Sequence, residues 1–451
     1  MTPRPLLIVV LAAGQGTRMQ SALPKVLHKV GGRSMLAHVL AAAQELAAQS
    51  VAVVVGPDME AVRGEALNEI ASAHVCLQPE RNGTADALLA AREALARHSG
   101  DVLVLYGDTP LLTVPTLERV LAALDNGAGI AILGFEAGDP TGYGRLMCEG
   151  PWLKAIREEK DASPEERRLT LCNSGVMAFR LDDLVGVLGR IDNKNAKGEF
   201  YLTDIVGVAG GDGARATVVV CEEDEVMGVN SREQLAAAEA VFQKRMRRAA
   251  MRAGATLIAP ETVWFAWDTR IGRDVVIEPN VFFGPGVVIE DGAEIKANSH
   301  MERARVGPGA RIGPFARLRP GADVGANARV GNFVELKNVR LRDGAKANHL
   351  AYLGDGDVGA GSNIGAGTIF CNYDGFLKHF TEIGDKVFIG SNSSLVAPVK
   401  IGEGAYIGSG SVITKSVSAG ALALTRPEQV ERPGWAAKFR TMMARRKAEK
   451  K

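Results

Sequence analysis

From Ile271 to Thr414 an aliphatic residue returns at every sixth position, usually with Gly one step later. One run reads Ile271-Gly272, Ile277, Phe283-Gly284, Ile289, Ile295; the next reads Val306-Gly307, Ile312-Gly313, Leu318, Val324-Gly325, Val330-Gly331. A third comprises Val358-Gly359, Ile364-Gly365, Ile383-Gly384, Ile389-Gly390, Leu395, Ile401-Gly402 and Ile407-Gly408. A period of six fits neither the 3.6-residue helix nor two-residue alternation, so it marks a repeated supersecondary unit. The residue four after each aliphatic is small or β-branched, as at Val275, Val281, Val287, Ala310, Ala316, Ala322, Thr368, Ala405 and Ser411. One bulky and one small inward position per six residues describe a short flat strand plus a turn. Three such flats close a triangular coil, and stacked coils share one core. The pattern predicts a parallel β-helix beginning near Thr256.

The rhythm breaks in a few places. Spacing falls to five at Met301/Val306, Leu336/Leu341 and Leu353/Val358, and opens to thirteen between Phe370 and Ile383. An insertion in a solenoid must leave as a loop, and such loops commonly form its binding surface.

The first half follows another pattern. Leu6 to Ala12, Val51 to Val55 and Val102 to Tyr106 are short continuous apolar runs, as strands buried on both faces require. Between them, Met35 to Ala48 and Ala85 to Ala96 are rich in Ala and Leu and read as helices. This alternation predicts an α/β doubly wound, Rossmann-like sheet with its ligand crevice at the carboxyl ends of the strands. Arg232 to Arg252 lacks Pro and Gly and reads as one long connecting helix. The expected division is therefore residues 1–228, a linker helix at 229–252, and the β-helix with its tail at 253–451.

At 451 residues the chain exceeds one ordinary core, in keeping with that division. Lys+Arg 53 against Asp+Glu 52 gives a net charge of +1, which argues against a general nucleic-acid or membrane role. Basic residues concentrate after Lys438, at Arg440, Arg445, Arg446, Lys447, Lys450 and Lys451; this stretch reads as a solvated, disordered tail rather than a binding patch. Cysteines 76, 148, 172, 221 and 371 form no C-x-x-C pair, which suits a reducing compartment and gives no zinc signature. Arg4 and the apolar run from Leu6 could pass for a signal peptide, but the run leads into a Gly-rich loop that cleavage would discard. No stretch is long enough to cross a bilayer, and the expected location is the cytoplasm.

The strand Leu6 to Ala12 empties into Gly14-Gln15-Gly16-Thr17-Arg18-Met19, with Pro24-Lys25 beyond. Glycines let backbone N–H groups approach a phosphate, and Arg18 and Lys25 add positive charge. The loop lacks the G-K-[ST] of a P-loop, and Met19 stands where a dinucleotide fingerprint needs its third Gly, so spacing alone does not separate function from a simple turn. Tyr106-Gly107-Asp108 sets a carboxylate at a strand's carboxyl end, where sheet folds place ligands, although Asp also caps turns. Gln78 and Gly83-Thr84 follow another strand end and could hydrogen-bond a base. In the second half, His349 occupies an outward slot of the hexad pattern. Amine acylation by a thioester needs a proton acceptor, and His has a suitable pKa, although a lone His is more often structural.

Together these segments resemble a known family. Leu11-Ala12-Ala13-Gly14-x-Gly16-Thr17-Arg18-Met19 with Pro24-Lys25 looks like the signature of sugar-1-phosphate nucleotidyltransferases. With Pro140 to Arg145, Asn173-Ser174-Gly175, Glu225 to Asn230, and the β-helix segments Arg317 to Gly321, Gly331 to Asn338, Asn363 to Thr368 and Asn372-Tyr373-Asp374-Gly375, the chain resembles the bifunctional N-acetylglucosamine-1-phosphate uridyltransferase/glucosamine-1-phosphate acetyltransferases from about Leu6 to Arg426.

The resemblance implies a left-handed β-helix of hexapeptide repeats carrying the acetyltransferase. It implies acetylation of glucosamine 1-phosphate by acetyl-CoA, then uridylyl transfer from UTP with release of pyrophosphate. The product, UDP-N-acetylglucosamine, feeds peptidoglycan and lipopolysaccharide synthesis. Carried over by residue, Leu11, Ala12, Ala13, Gly14, Gln78, Gly83 and Thr84 would hold the nucleotide beside Tyr106 and Gly107. Arg18 and Lys25 would contact the triphosphate, and Asp108 and Asn230 would ligate Mg²⁺. Gly144, Glu158 and Asn173 would hold N-acetylglucosamine. His349 would be the acetyltransferase base, with Arg319, Lys337, Tyr352 and Asn363 around the acceptor and Lys378 closing the site. Ala366, Asn372, Tyr373, Ser391, Ser409 and Arg426 would line the acetyl-CoA groove, Ser409 replacing the Ala common in the family. The family also implies a homotrimer whose acetyl sites draw on neighbouring chains.

Two rivals stand beside that reading. In one, the β-helix of a nucleotidyltransferase only oligomerises or regulates; His349 and the Asn372 to Gly375 loop speak against it. In the other, the chain is a trimeric scaffold with a vestigial nucleotide fold; Gly14, Arg18, Lys25, Asp108 and Asn230 speak against that.

Overall fold

A computed structural model describes residues 4–450, which fall into two compact units. Among the described residues the first comprises 4–249 with Phe265–Trp267; the second comprises Ala250–Trp264 with 268–450.

The first unit is a nine-stranded sheet. Strands His74–Leu77, Ser50–Val55, Leu6–Leu11 and Asp101–Tyr106 lie side by side and parallel. Side chains along Leu6–Leu11 alternate between two cores. Ile8 and Val10 join Leu36, Leu40 and Val53, while Leu7 and Val9 join Ala52, Leu88 and Leu95. Two apolar faces require two helical layers, which is why these strands read as unbroken hydrophobic runs. Beyond Asp101–Tyr106 the sheet is mixed. Leu171–Phe179 runs antiparallel to both Asp101–Tyr106 and Ile130–Glu136, and the hairpin Arg145–Glu149/Trp152–Arg157 closes the far edge. The sequence rhythm did not announce this half, because its strands are broken by polar residues such as Asn173 and Ser174.

Two helix boundaries depart from expectation. Ala85 to Ala96 forms two helices, Thr84–Leu89 and Arg92–Arg97, each burying its own residues: Ala85, Ala87 and Leu88 in the first, Leu95 in the second. Nothing in that Ala-rich run forbids one helix; tertiary anchoring wins, with Ala85 N–H donating to Phe200 O at 2.9 Å. Met35–Glu45 starts on its Ser34 cap and ends three residues early, where Ala47 turns left-handed at φ 51°. Arg232–Arg252 is one 21-residue helix, as its composition indicates.

The second unit is a parallel β-helix. One face is a ladder of ten short strands in which Leu257, Ile277, Ile295, Ile312, Val330, Ala347, Ile364, Ile389, Ile407 and Ala423 pair in vertical succession. The small positions are interior too: Val275, Val281, Val287, Ala310, Ala316, Ala322, Thr368, Ala405 and Ser411 are each at most 2% exposed. At two of the five-residue slips the strands Glu335–Leu341 and Tyr352–Val358 continue round a corner, through left-handed Asn338 and Asp355, and pair on two faces. The thirteen-residue gap leaves the coil as a loop between Ile369–Cys371 and Thr381–Ile383, with Phe376 91% exposed.

The basic tail is a correction. Trp435–Ala448 is helical rather than disordered, and fully exposed. Its Ala, Met, Arg and Lys residues are strong helix formers.

Candidate active sites

The carboxyl ends of the parallel strands open on a cleft of about 290 Å³. Leu11 to Gly14 form one wall, continuing from Leu6–Leu11, and Gln78, Gly83 and Thr84 form another. Lys25, Tyr106 and Asp108 complete it. Gly107 closes the turn, donating its N–H to Leu11 O at 3.0 Å. Gly16, at φ 65°, has no room for a side chain, because a Cβ there would collide with Lys25. Arg18 is exposed on the short turn Thr17–Met19 and does not line the cleft.

At the cleft's edge the Lys25 ammonium donates to Asp108 Oδ2 and, at 2.9 Å, to Asn230 Oδ1. Side-chain exposure is 11% for Lys25 and 16% for Asp108, so solvent screens this contact poorly. Asp108 O also accepts from Val229 N–H at 3.0 Å, and Asn230 N–H donates to Gln234 Oε1 at 2.7 Å. These bonds bring Asn230 beside the strand end despite its distance in sequence.

A second cluster lies on the mixed half of the sheet. Asn173 N–H donates to Gly144 O at 2.8 Å, and Glu158 Oε1 accepts from Thr203 Oγ1 at 3.1 Å. A Cβ on Gly144 would lie 3.4 Å from Glu158 Oε1, which places these residues together. Burial pushes the Glu158 carboxyl above its ordinary value, partly offset by the Thr203 hydroxyl. Tyr106 joins the two clusters: burial, then the charges of Glu158 and Asp108, raise its hydroxyl pKa, against a hydrogen bond with Thr84. Gly175, at φ 91°, lies so close that a Cβ would be 2.7 Å from the Tyr106 ring.

On the β-helix, His349 is exposed at the end of Lys346–His349. Its Nδ1 lies 2.7 Å from Asn332 Oδ1, one coil below. The amide oxygen only accepts, so Nδ1 faces it as the donor, and in the neutral ring Nε2 is the nitrogen left to accept a proton. Two residues beyond the paired aliphatics Ala347, Ile364, Ile389 and Ile407 stand His349, Ala366, Ser391 and Ser409, on successive rungs of one face. Arg426 reaches the top of this column, donating to Ser409 O at 2.8 Å.

Round the corner, Arg319 and Lys337 follow the paired Leu318 and Leu336, so they are rung neighbours. Each is held by a carboxylate, Arg319 by Glu335 at 2.9 Å and Lys337 by Asp355 at 3.1 Å. Asn338 and Asn372 also donate to Asp355, and the Lys337 and amide contacts outweigh burial to lower its pKa. Tyr352 and Asn372 converge over Gly354, where a Cβ would be 2.8 Å from the Asn372 amide. Asn363 is half-buried on the His349 face, paired in register with Lys346. In the inserted loop, the Lys378 ammonium lies 4.2 Å from the Tyr373 ring centroid.

Sequence reasoning passed over several supporting groups. Arg81 and Glu199 line the first cleft, and Arg81 Nε donates to Ala13 O at 2.8 Å. Arg81 lies between Gln78 and Gly83, so a basic residue flanked by two candidate nucleotide contacts was the available signal. Asn332, Glu335 and Asp355 had none, because only vertical register shows what they touch.

Residues 8–170 match the MobA-like NTP transferase domain, and residues 268–303 and 380–415 match the bacterial transferase hexapeptide (six repeats). Over nearly its whole length the chain is similar to proteins named bifunctional protein GlmU. One from Azorhizobium caulinodans is 59% identical over 440 residues, covering 98% of each chain. One from Paramagnetospirillum magneticum is 54% identical over 452 residues, covering 100% of each. One from a Bradyrhizobium species is 56% identical over 445 residues, covering 99% of each. The chain belongs to the bifunctional GlmU family.

As a GlmU protein it is an enzyme with two transferase activities, and its β-helix is the left-handed hexapeptide type. It makes UDP-N-acetylglucosamine by acetyl transfer from acetyl-CoA to glucosamine 1-phosphate, then uridylyl transfer from UTP to N-acetylglucosamine 1-phosphate with release of pyrophosphate. The rival in which the β-helix only oligomerises or regulates is set aside with that membership. Among the described residues no helix is long and apolar enough to cross a membrane.

Proposed function

We propose that the two transfers run on separate machinery: uridylyl transfer in the N-terminal cleft of residues 1–228, acetyl transfer on the β-helix of residues 253–451, with 229–252 as linker. The observation that carries the first assignment is the shared cation of Asp108 and Asn230. A carboxylate and an amide oxygen already converge on one positive charge, that of Lys25. Hard oxygen donors in that number suit Mg²⁺, which takes few protein ligands and completes its shell with phosphate and water. The residues present therefore fit the ion. When bound, Mg²⁺ would neutralise charge on the phosphate oxygens.

In this reading Leu11 to Gly14, Gln78, Gly83, Thr84, Tyr106 and Gly107 hold the uridine, and Gly144, Glu158 and Asn173 hold the N-acetylglucosamine. Lys25, released from Asp108, turns to the triphosphate, and Arg18 joins it from the exposed turn. The sugar phosphate oxygen attacks the α-phosphorus and pyrophosphate leaves in line. That nucleophile is already ionised at neutral pH, so the residues orient and neutralise, and no base is required.

On the β-helix, Nε2 of His349 takes a proton from the amine of glucosamine 1-phosphate as nitrogen attacks the thioester carbonyl; the carbon–sulfur bond breaks, and the leaving thiolate takes that proton from the imidazolium to depart as the thiol. Arg319 and Lys337 pair with the acceptor's phosphate, Tyr352 and Asn363 flank its sugar, and Lys378 closes over it. The column from His349 through Ala366 and Ser391 to Ser409 climbs three rungs, about 14 Å at roughly 4.8 Å each. An extended coenzyme arm needs such a track, with Asn372 and Tyr373 beside its reactive end and Arg426 at the other.

One corner of the coil supports assembly as a homotrimer. Asn280, Asn298 and Asn392 take the left-handed turn there, but Phe315, Phe333 and Leu350 adopt the same conformation at 49%, 56% and 60% exposure. Bulky left-handed residues cost on the order of 1–3 kcal/mol each, and apolar ones at that cost suit a covered surface. Five unpaired cysteines and substrates such as UTP and acetyl-CoA favour the cytoplasm. Chelation of divalent metal tests the scheme: pyrophosphate release should stop while thiol release from acetyl-CoA continues. Pyrophosphate release persisting in chelator would sink the metal assignment.

A further inference from the structure

Gln78 is 3% exposed yet borders the nucleotide cleft, and its amide is held from behind. Its Nε2 donates to Asp86 Oδ2 at 2.8 Å and to Gly83 O at 3.3 Å. Asp86 stands in the first turn of Thr84–Leu89, outside the cleft lining. The Gln78 backbone is fixed as well, its N–H donating to Val55 O at 2.9 Å.

The chemistry of Asp86 decides which way the amide points. An ionised carboxylate only accepts hydrogen bonds, so the amide group facing it must be NH₂. With both N–H groups directed at Asp86 and Gly83, Gln78 has only Oε1 to offer a ligand, and among the described residues no hydrogen bond reaches Oε1. The edge of uracil presents an N3–H donor. The edge of cytosine presents an N3 acceptor in the same place, which would meet Oε1 as lone pair against lone pair.

We propose that Asp86 is a positioning residue for nucleotide choice: it locks the Gln78 amide with its oxygen toward the cleft, so that the site takes uracil and rejects cytosine. Asp86 touches no substrate and acts wholly through Gln78. The inference rests on the reading of Gln78 as the group that meets the base.

The test compares kcat/KM for UTP and CTP, read as pyrophosphate release with N-acetylglucosamine 1-phosphate, in the full chain. Asp86→Asn is isosteric but can donate or accept, so Gln78 is free to turn over. The UTP-to-CTP ratio should fall by about 10- to 100-fold, the worth of one charge-assisted hydrogen bond. Asp86→Ser, which also lacks the carboxylate, should lower it too, and an unchanged melting transition of the N-terminal unit in the same samples reports intact protein. A purely structural role for Asp86 would slow both nucleotides alike, and an unchanged ratio in the two folded variants overturns the proposal. Gln78→Ala separates the two ideas. If it collapses the ratio while the Asp86 variants do not, only the locking role fails; if it leaves the ratio at the parent value, the reading of Gln78 fails and the locking role with it.

Discussion

The two sites reach similar ends, holding a sugar phosphate beside an activated partner, by opposite constructions. In the first unit Lys25, Asp108 and Asn230 come from loops 83 and 205 residues apart and meet in a poorly hydrated corner of the cleft. On the β-helix the corresponding contacts join residues 17 or 18 apart, one coil: the exposed His349 with Asn332, and Lys337 with the buried Asp355. A site gathered from distant loops concentrates its electrostatics in a few desolvated groups. A site drawn on adjacent rungs spreads its contacts along a lattice that the core fixes anyway. Loss of one group should therefore be far more damaging in the first than loss of a supporting group in the second.

The largest expected effect follows from that contrast. Lys25→Ala removes the only side-chain cation that contacts both Asp108 and Asn230 among the described residues. Pyrophosphate release should fall on the order of 10²–10³-fold, as for other charge-stabilising groups, with thiol release unchanged. A loss below tenfold would mean that the cleft does not depend on its buried charge. Asn332→Ala should be milder. His349 keeps its place on the rung but loses the partner of Nδ1, so thiol release should drop about tenfold, the worth of one hydrogen bond, with an altered pH profile. An unaltered pH profile would show that the amide does not set the tautomer.

The smallest effect is on stability. Burial raises the Glu158 pKa in the folded protein above its unfolded value. The folded state then binds more protons than the unfolded state between the two values, so stability declines as pH rises through that window. Glu158→Gln removes this cost. Its melting temperature should exceed the parent's at pH 8, and the difference should shrink as pH falls through the folded pKa. An equal difference at every pH would assign the effect to packing instead.

Legibility in the sequence divides along the same line. The β-helix was readable because each rung repeats one physical demand, a bulky and a small inward residue, so Ile277 to Ile407 announce both fold and register. Two of its three five-residue slips fall where strands run round a corner, which the spacing alone did not announce. The partners on that surface were not readable: Asn332 and Asp355 gain meaning only when neighbouring coils are stacked. In the first unit the parallel strands and the Gly14 to Lys25 loop stood out, whereas the antiparallel strand Leu171–Phe179 was hidden by Asn173 and Ser174. Asp86 shows the limit most clearly. A carboxylate in a helix's first turn looks like ordinary dipole compensation, and nothing along the chain tells that it faces the amide of Gln78.

The central claim is independence of the two sites, and one paired measurement addresses it directly. Thiol release from acetyl-CoA and pyrophosphate release from UTP should be followed in the same preparations of Asp108→Ala and His349→Ala. Asp108→Ala should lose pyrophosphate release and keep thiol release, and His349→Ala should do the reverse. A folded variant in which either single substitution abolished both products would contradict the account.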